Sequence, residues 1–290
     1  MSTTVETEIL KRWKEKGIIN DAPETSKNGS GEANQAAPII QLPLWPEPAR
    51  AAPSAILRSA LFGVVRRGRR KSMKREALAS WKTVVLEYTG EQLDQYDLNV
   101  WMQAIHLARL QSLSDANGVS FTSRGFLKAM KRTYSGAAAK ALHDSIHRMV
   151  ACAVTIRVGD CEYMGNLIHS CAHHEESGRY VLHLNPKLRD LFDSGYTRLD
   201  WETRLTLTTD FSRWLHGYVQ SQRATACEPH RIAVITLKEL SGSETDPRDF
   251  RRKLRLAMES LKRKRVVSRW RITDNDALEF VRFVKKEGGK

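Results

Sequence analysis

The sequence predicts an α+β protein in which one small unit, a helix-turn-helix followed by a β-hairpin, occurs twice behind a largely disordered N-terminal tail. Three observations predict it. Two long helical patterns carry apolar residues that register with each other: Leu142, Ile146, Met149 and Val154 correspond to Leu254, Met258, Leu261 and Val266, each 112 residues on. A leading helix precedes each copy, at Asp94–Leu110 and Thr208–Ser221, and strand-like alternation around a turn follows each. The basic charge is concentrated on a few stretches, one of them the long helix of the second copy.

From the N-terminus, Glu6–Lys16 has the apolar spacing of a short amphipathic helix (Ile9, Leu10, Trp13), and Asn20–Asn34 has the Ser/Gly/Asn/Glu composition of a linker. Prolines at 43, 46, 48 and 53 fix φ and remove donors around "QLPLW" (Gln41–Trp45), so neither helix nor central strand forms there. Its apolar side chains, Leu42, Leu44 and Trp45, are either strapped onto the following domain or offered to another protein. The expected organisation is a tail over 1–57, a basic arm or linker over 58–80, a first unit over 81–203 and a second over 204–290.

In the first unit, "TVVLEYTG" alternates as a strand, and Leu98, Trp101, Ile105 and Leu107 share one face of a helix capped by Asp94 or Asp97. A short strand, a helix capped by Thr122 or Ser123, a turn at Thr133–Gly136 and a helix to about Ala151 follow. The expected wing is a hairpin turning at Gly159-Asp160. In the second unit the helix at Leu237–Leu240, a helix from Pro247 and a hairpin turning at Asp274–Asp276 repeat this order, which is that of a winged helix.

The charge narrows the function. The 290 residues hold 47 Lys+Arg against 33 Asp+Glu, a net +14. Eight basic residues and no acid lie between 51 and 75, and eleven against two lie between 247 and 271. Such placement points to nucleic acid before membrane. The longest mostly apolar run, Met149–Ile156, falls far short of the ~20 residues of a spanning helix. The opening "MSTTVETEIL" carries acids where a signal peptide carries bases, so a cytoplasmic protein is expected. Four cysteines without framework spacing fit reduced thiols. Cys161, His169, Cys171, His173 and His174 form no pair of ligand pairs, so no metal and no cofactor is expected. With no GxxxxGK[ST] loop and no His-x-His metal pair, an enzyme is not expected either.

On the helix from Pro247, Phe250, Leu254, Ala257, Met258 and Leu261 face one way. Arg248, Arg252, Arg255, Glu259 and Lys262 face the other, with Arg251 on the flank. Guanidinium forks on such a face suit guanine edges and phosphates of the major groove. The first copy offers a weaker set: Lys131, Arg132 and Tyr134 in the turn and Lys140 on the helix. The segment "RRGRRK", with Arg66, Arg67, Arg69 and Arg70, reads as an arm tracking phosphate.

"RSALF" (Arg58–Phe62), "KREAL" (Lys74–Leu78), "LEYTGEQLD" (Leu86–Asp94) and "VWMQAIHLAR" (Val100–Arg109) resemble the TrfA-like replication initiators of broad-host-range plasmids, over about Gln41 to the C-terminus. The resemblance implies a protein that binds directly repeated origin sequences (iterons) through two winged-helix domains. It also implies opening of adjacent DNA with host DnaA, recruitment of the replicative helicase, and a dimer/monomer equilibrium involving the first domain. "QLPLW" is similar to the QLxLF peptide by which such initiators dock on the sliding clamp, with Gln41, Leu42, Leu44 and Trp45 as its contacts. A winged-helix repressor is the alternative that fold and charge leave open.

Overall fold

The computed structural model describes residues 42–43, 45–65, 68, 70–81, 84–111, 118–159, 161–185 and 187–284. The expected helix at Glu6–Lys16, the linker at Asn20–Asn34, and Gln41, Leu44, Arg66, Arg67 and Arg69 lie outside the described residues.

The chain opens with β1 (Ala49–Pro53), α1 (Ser54–Leu57), β2 (Phe62–Gly63), β3 (Ser72–Ala77), β4 (Val84–Glu91) and β5 (Leu93–Asp94). The first winged helix follows: α2 (Gln95–Gln111), β6 (Val119–Thr122), α3 (Ser123–Ala129) and α4 (Gly136–Ala151). Then come β7 (Ala153–Val158), β8 (Cys161–Gly165), β9 (Ile168–His174), β10 (Arg179–Leu184), α5 (Leu188–Asp193), β11 (Tyr196–Asp200) and α6 (Trp201–Thr206). The second unit is α7 (Asp210–Gln220), β12 (His230–Ala233), α8 (Val234–Leu240), α9 (Pro247–Arg263), β13 (Val267–Ile272) and β14 (Ala277–Arg282). The fold is thus a tandem winged helix. Its two wing sheets, β6-β10-β9 and β12-β14-β13, share one topology, with the strand before the second helix paired to the last strand.

Local chemistry sets the helix starts. Asp94 accepts from the amides of Tyr96 (2.8 Å) and Asp97 (3.0 Å), Thr122 from Gly125 (3.1 Å), and Ser135 from Ala138 (3.1 Å). Asp246 accepts from Arg248 (3.0 Å) and Asp249 (3.1 Å), with Pro247 in the first turn, where a missing N–H costs nothing. Leu142, Ile146 and Met149 on α4, and Leu254, Met258 and Leu261 on α9, are all buried.

The structure corrects three expectations. The hairpin at Gly159-Asp160 is not the wing. Strand β7 pairs with β4 (Leu86↔Ile156, Tyr88↔Val154) in a separate sheet, β3-β4-β7-β8, and the wing is β9–β10. The tail ends well before residue 57: β1 runs antiparallel to β11, from Ala49↔Asp200 to Pro53↔Tyr196, and Trp45 is buried. Of the expected arm or linker over 58–80, the described residues are a packed linker and not a free arm. Leu61 and Phe62 enter the first core, while Val64, Ala79 and Trp81 pack against the second. The Val64 amide donates to the Ser241 carbonyl (2.8 Å) and the Trp214 indole to the Ser59 carbonyl (3.1 Å), so this segment joins the two domains.

His216 of α7 is 1% exposed, and among the described residues neither of its ring nitrogens has a hydrogen-bond partner. Burial, reinforced by the nearby Arg204 cation, pushes it down to about 3. The unfolded chain therefore takes up a proton below pH ~6.5 that the folded chain refuses down to about 3, and stability is lost as pH falls through that window. The expected slope from this group is ~1.4 kcal/mol per pH unit. Urea unfolding of the parent protein and of His216→Phe at pH 7 and pH 5 should show the variant losing about 2 kcal/mol less on acidification. Equal losses would mean that His216 is protonated in the folded protein.

Candidate nucleic-acid interface

Helix α9 divides into two faces. Phe250, Leu254, Ala257, Met258 and Leu261 are buried, and Phe250 packs on Phe211 of α7 with ring centroids 5.0 Å apart. Arg248, Arg252, Arg255 and Lys262 are exposed on the opposite side. Among the described residues, Arg248, Arg255 and Lys262 have no carboxylate within ion-pair distance; Arg252 makes one contact, Nε to Asp249 Oδ1 at 3.3 Å. An exposed pair of this kind contributes little. The helix thus carries cations whose charge the protein leaves largely unneutralised, which is what a polyanion requires.

Arg251 has a different task. Its Nε and Nη2 donate to the two carboxylate oxygens of Asp276 at 2.7 and 2.6 Å. The paired guanidinium holds the Asp276 carboxyl below the usual carboxylate range. Asp276 sits in the turn between β13 and β14 at φ +51°, so the bidentate pair fastens the wing to the helix. Arg251, expected among the DNA-binding residues from its place on the flank, is thus held by Asp276 and does not stand free as Arg248 and Arg255 do.

The sequence reading passed over Leu256, which lies on the cationic side of α9 and is 62% exposed. An exposed leucine among cations is chemically suited to an apolar contact such as a thymine methyl. The signal was present in the sequence as an apolar break in a polar face. The basic surface continues from the end of α9 through Arg263, Lys264 and Arg265, all exposed, into Arg269 and Arg271 on the wing.

The corresponding surface of the first unit is largely paired. Lys131 bonds Glu202, and Lys140 bonds Asp144 at 2.7 Å. Arg132 lies 4.8 Å over the Tyr96 ring, and Arg124 lies 5.0 Å over the ring of Tyr134, itself 46% exposed. Lys131, Arg132, Tyr134 and Lys140 are all exposed, with less free charge than α9 presents.

Arg70 is removed from the phosphate-tracking set. It donates to Asp94 and, at 3.0 Å, to Asp97, whose carboxylate is fully buried and also holds Arg148 at 2.7 Å. Burial and the Asp97 charge beside it push Asp94 up to about 6, against the pull of Arg70. An arginine gripping two acids in a buried network is a structural brace. Neighbouring Lys71 is ion-paired with Glu244, in the turn that leads into α9.

Trp45, expected as a clamp contact or a strap, lies away from this basic surface, 3% exposed against α2 and α5. Leu42 is partly buried against the same core. No described helix is long and apolar enough to cross a membrane, and no group of three or more His, Cys, Asp or Glu among the described residues is arranged to hold a metal ion.

Comparison with known proteins places this geometry. The chain is similar to the plasmid replication initiator protein TrfA of Escherichia coli, 26% identical over 222 residues, which are 71% of this chain and 55% of that protein. It therefore spans about half the length of that relative. Among solved structures, domains 2 and 3 of RctB superpose with a TM-score of 0.55 at 15% identity, over 81% of this chain and 99% of that one. A Pi initiator protein in complex with iteron DNA matches with a TM-score of 0.49 at 16% identity, over 71% of this chain and 99% of that one. The model of the TrfA protein family matches residues 33–281, and the chain belongs to that family.

Proposed function

We propose that this protein is a plasmid replication initiator that binds directly repeated origin sequences as duplex DNA, acting by binding and not by catalysis. The observation that carries this reading is the unneutralised arginine face of α9, in the recognition position of a winged helix, in a chain of the TrfA family. A second winged helix in the same chain extends the footprint. Each recognition helix occupies about one turn of the groove, so the repeat unit is roughly 20 bp. Tandem domains in one polypeptide suit repeats in one orientation, because the two reading helices differ in sequence and in free charge and so read an asymmetric site. Recruitment of host DnaA, the replicative helicase and the sliding clamp, and a dimer/monomer equilibrium, belong to the same proposal. They are supported by family membership.

Footprinting on the DNA that adjoins the gene tests the reading. The expected result is protection of several copies of one sequence, all in the same direction. Protection of a single palindrome over a promoter would instead identify a repressor.

A further inference from the structure

Two recognition helices in one chain read a site of fixed length only if something holds them at a fixed separation. The side chains that do so can be followed from one helix to the other. On α4, Arg148 and Ser145 each bond Asp97 of α2 at 2.7 Å. Two residues to either side of Asp97, and so on the other side of α2, stand Gln95 and Asn99. Both accept from Arg204 of α6, Asn99 Oδ1 from Nε at 2.6 Å and Gln95 Oε1 from Nη2 at 2.8 Å. The remaining nitrogen of the fork, Nη1, donates to the Arg213 carbonyl of α7 at 2.8 Å. Helix α7 then packs on α9 through Phe211 and Phe250.

Arg204 is fully buried, and among the described residues all of its hydrogen-bond acceptors are neutral. A guanidinium buried without a carboxylate is costly, and a leucine or methionine would fill the space more cheaply. What the fork supplies is direction: three planar bonds aimed at two leading helices from different domains.

From this placement we infer that Arg204, with Gln95 and Asn99, is a specificity-determining positioning residue: it sets the separation of α4 and α9, and hence the length of DNA site that the protein accepts. The inference rests on the DNA-binding reading above. Arg204 touches no DNA in this arrangement; its effect passes through α2 and α7.

The test uses the full chain as parent, Arg204→Met, Arg204→Lys and Asn99→Ala. Each is first checked by thermal melt, since the independent tie from Ser59 and Val64 to the second domain remains in all of them. Affinity is measured on the footprinted duplex and on versions lengthened by two or five base pairs at its centre, rotations of about 70° and 170° at ~10.5 bp per turn. The parent should discriminate against the two-pair insertion by at least about tenfold. Arg204→Met should discriminate by about twofold or less, with Arg204→Lys and Asn99→Ala between, while affinity for a duplex holding only the half contacted by α9 stays at the parent value. A merely structural role would lower affinity for all duplexes alike. In parallel, the distance between labels at positions 140 and 262 is measured without DNA, and its distribution should broaden in Arg204→Met. A folded Arg204→Met that keeps both the parent's discrimination and its narrow distance distribution would overturn the inference. A parent that prefers no duplex sequence would defeat the DNA-binding reading, and the distance distribution would still decide whether Arg204 fixes the domains.

Discussion

Replacing Trp45 with alanine should lower stability by about 3–5 kcal/mol, the usual scale for deleting a buried tryptophan. The ring is 3% exposed and lies nearly parallel to Phe192, with centroids 6.0 Å apart. Its indole N–H donates to His106 Nδ1 at 3.1 Å, and the Arg109 guanidinium lies 5.2 Å over its face while also bonding its carbonyl. The other ring nitrogen of His106 meets Glu47 at 3.0 Å, so the substitution leaves a buried imidazole short of one partner as well as a cavity. It also loosens the start of β1, whose pairing with β11 joins residues some 150 positions apart. Leu42→Ala should cost about 1 kcal/mol or less, because that side chain is only partly buried. Urea unfolding monitored by circular dichroism reads both. An unchanged midpoint for Trp45→Ala would return this tryptophan to the role of a presented peptide; the expected result makes it part of the first core, which a partner could take up only by pulling the strap away.

The features that could be read in the sequence are those fixed by residues close together along it. The two recognition helices and their 112-residue register follow from local periodicity, and Leu142 and Leu254 are both buried. Long-range pairing could not be read in the same way. Strands β7 and β8 have the alternation and the turn of a wing, with Gly159 at φ +58°, but periodicity records that a strand forms and not which sheet takes it. The second partner of β7, β4, lies about 70 residues upstream. The stretch from Arg58 to Trp81 illustrates a second limit. Its net charge suggested a free arm, yet charge sums over a segment whereas burial is decided residue by residue. Leu61, Phe62 and Met73 are buried among those cations, and Arg70 is spent on Asp94 and Asp97. Arg204 left no local signal, because both of its side-chain acceptors are contributed by a helix about 100 residues away. The candidate DNA face was legible because it is a property of one helix.

That face carries the other large effect. Arg248→Ala, Arg252→Ala and Arg255→Ala should each weaken specific binding by ~1–3 kcal/mol if the guanidinium grips a base edge, and by less if it meets only phosphate. Combined, they should lose at least about a hundredfold in affinity, somewhat less than the singles suggest, since neighbours on one helix face are coupled. Stability should scarcely change, because these side chains are exposed and α9 is held by its buried face and by the Arg251–Asp276 pair. The salt dependence separates the two kinds of contact. Each lost phosphate contact reduces the slope of log affinity against log salt by about 0.9, whereas a lost base contact leaves the slope and removes preference for the specific duplex. Leu256→Ala provides the uncharged counterpart: a thymine-methyl contact should cost specific affinity with no change in slope. If the triple variant binds the footprinted duplex as tightly as the parent, α9 is not in the groove, and the paired, weaker surface around Lys131, Arg132 and Tyr134 would have to supply recognition. The free charge on α9 argues against that outcome, since cations left largely unpaired on one face of a recognition helix gain most from a phosphate-lined groove.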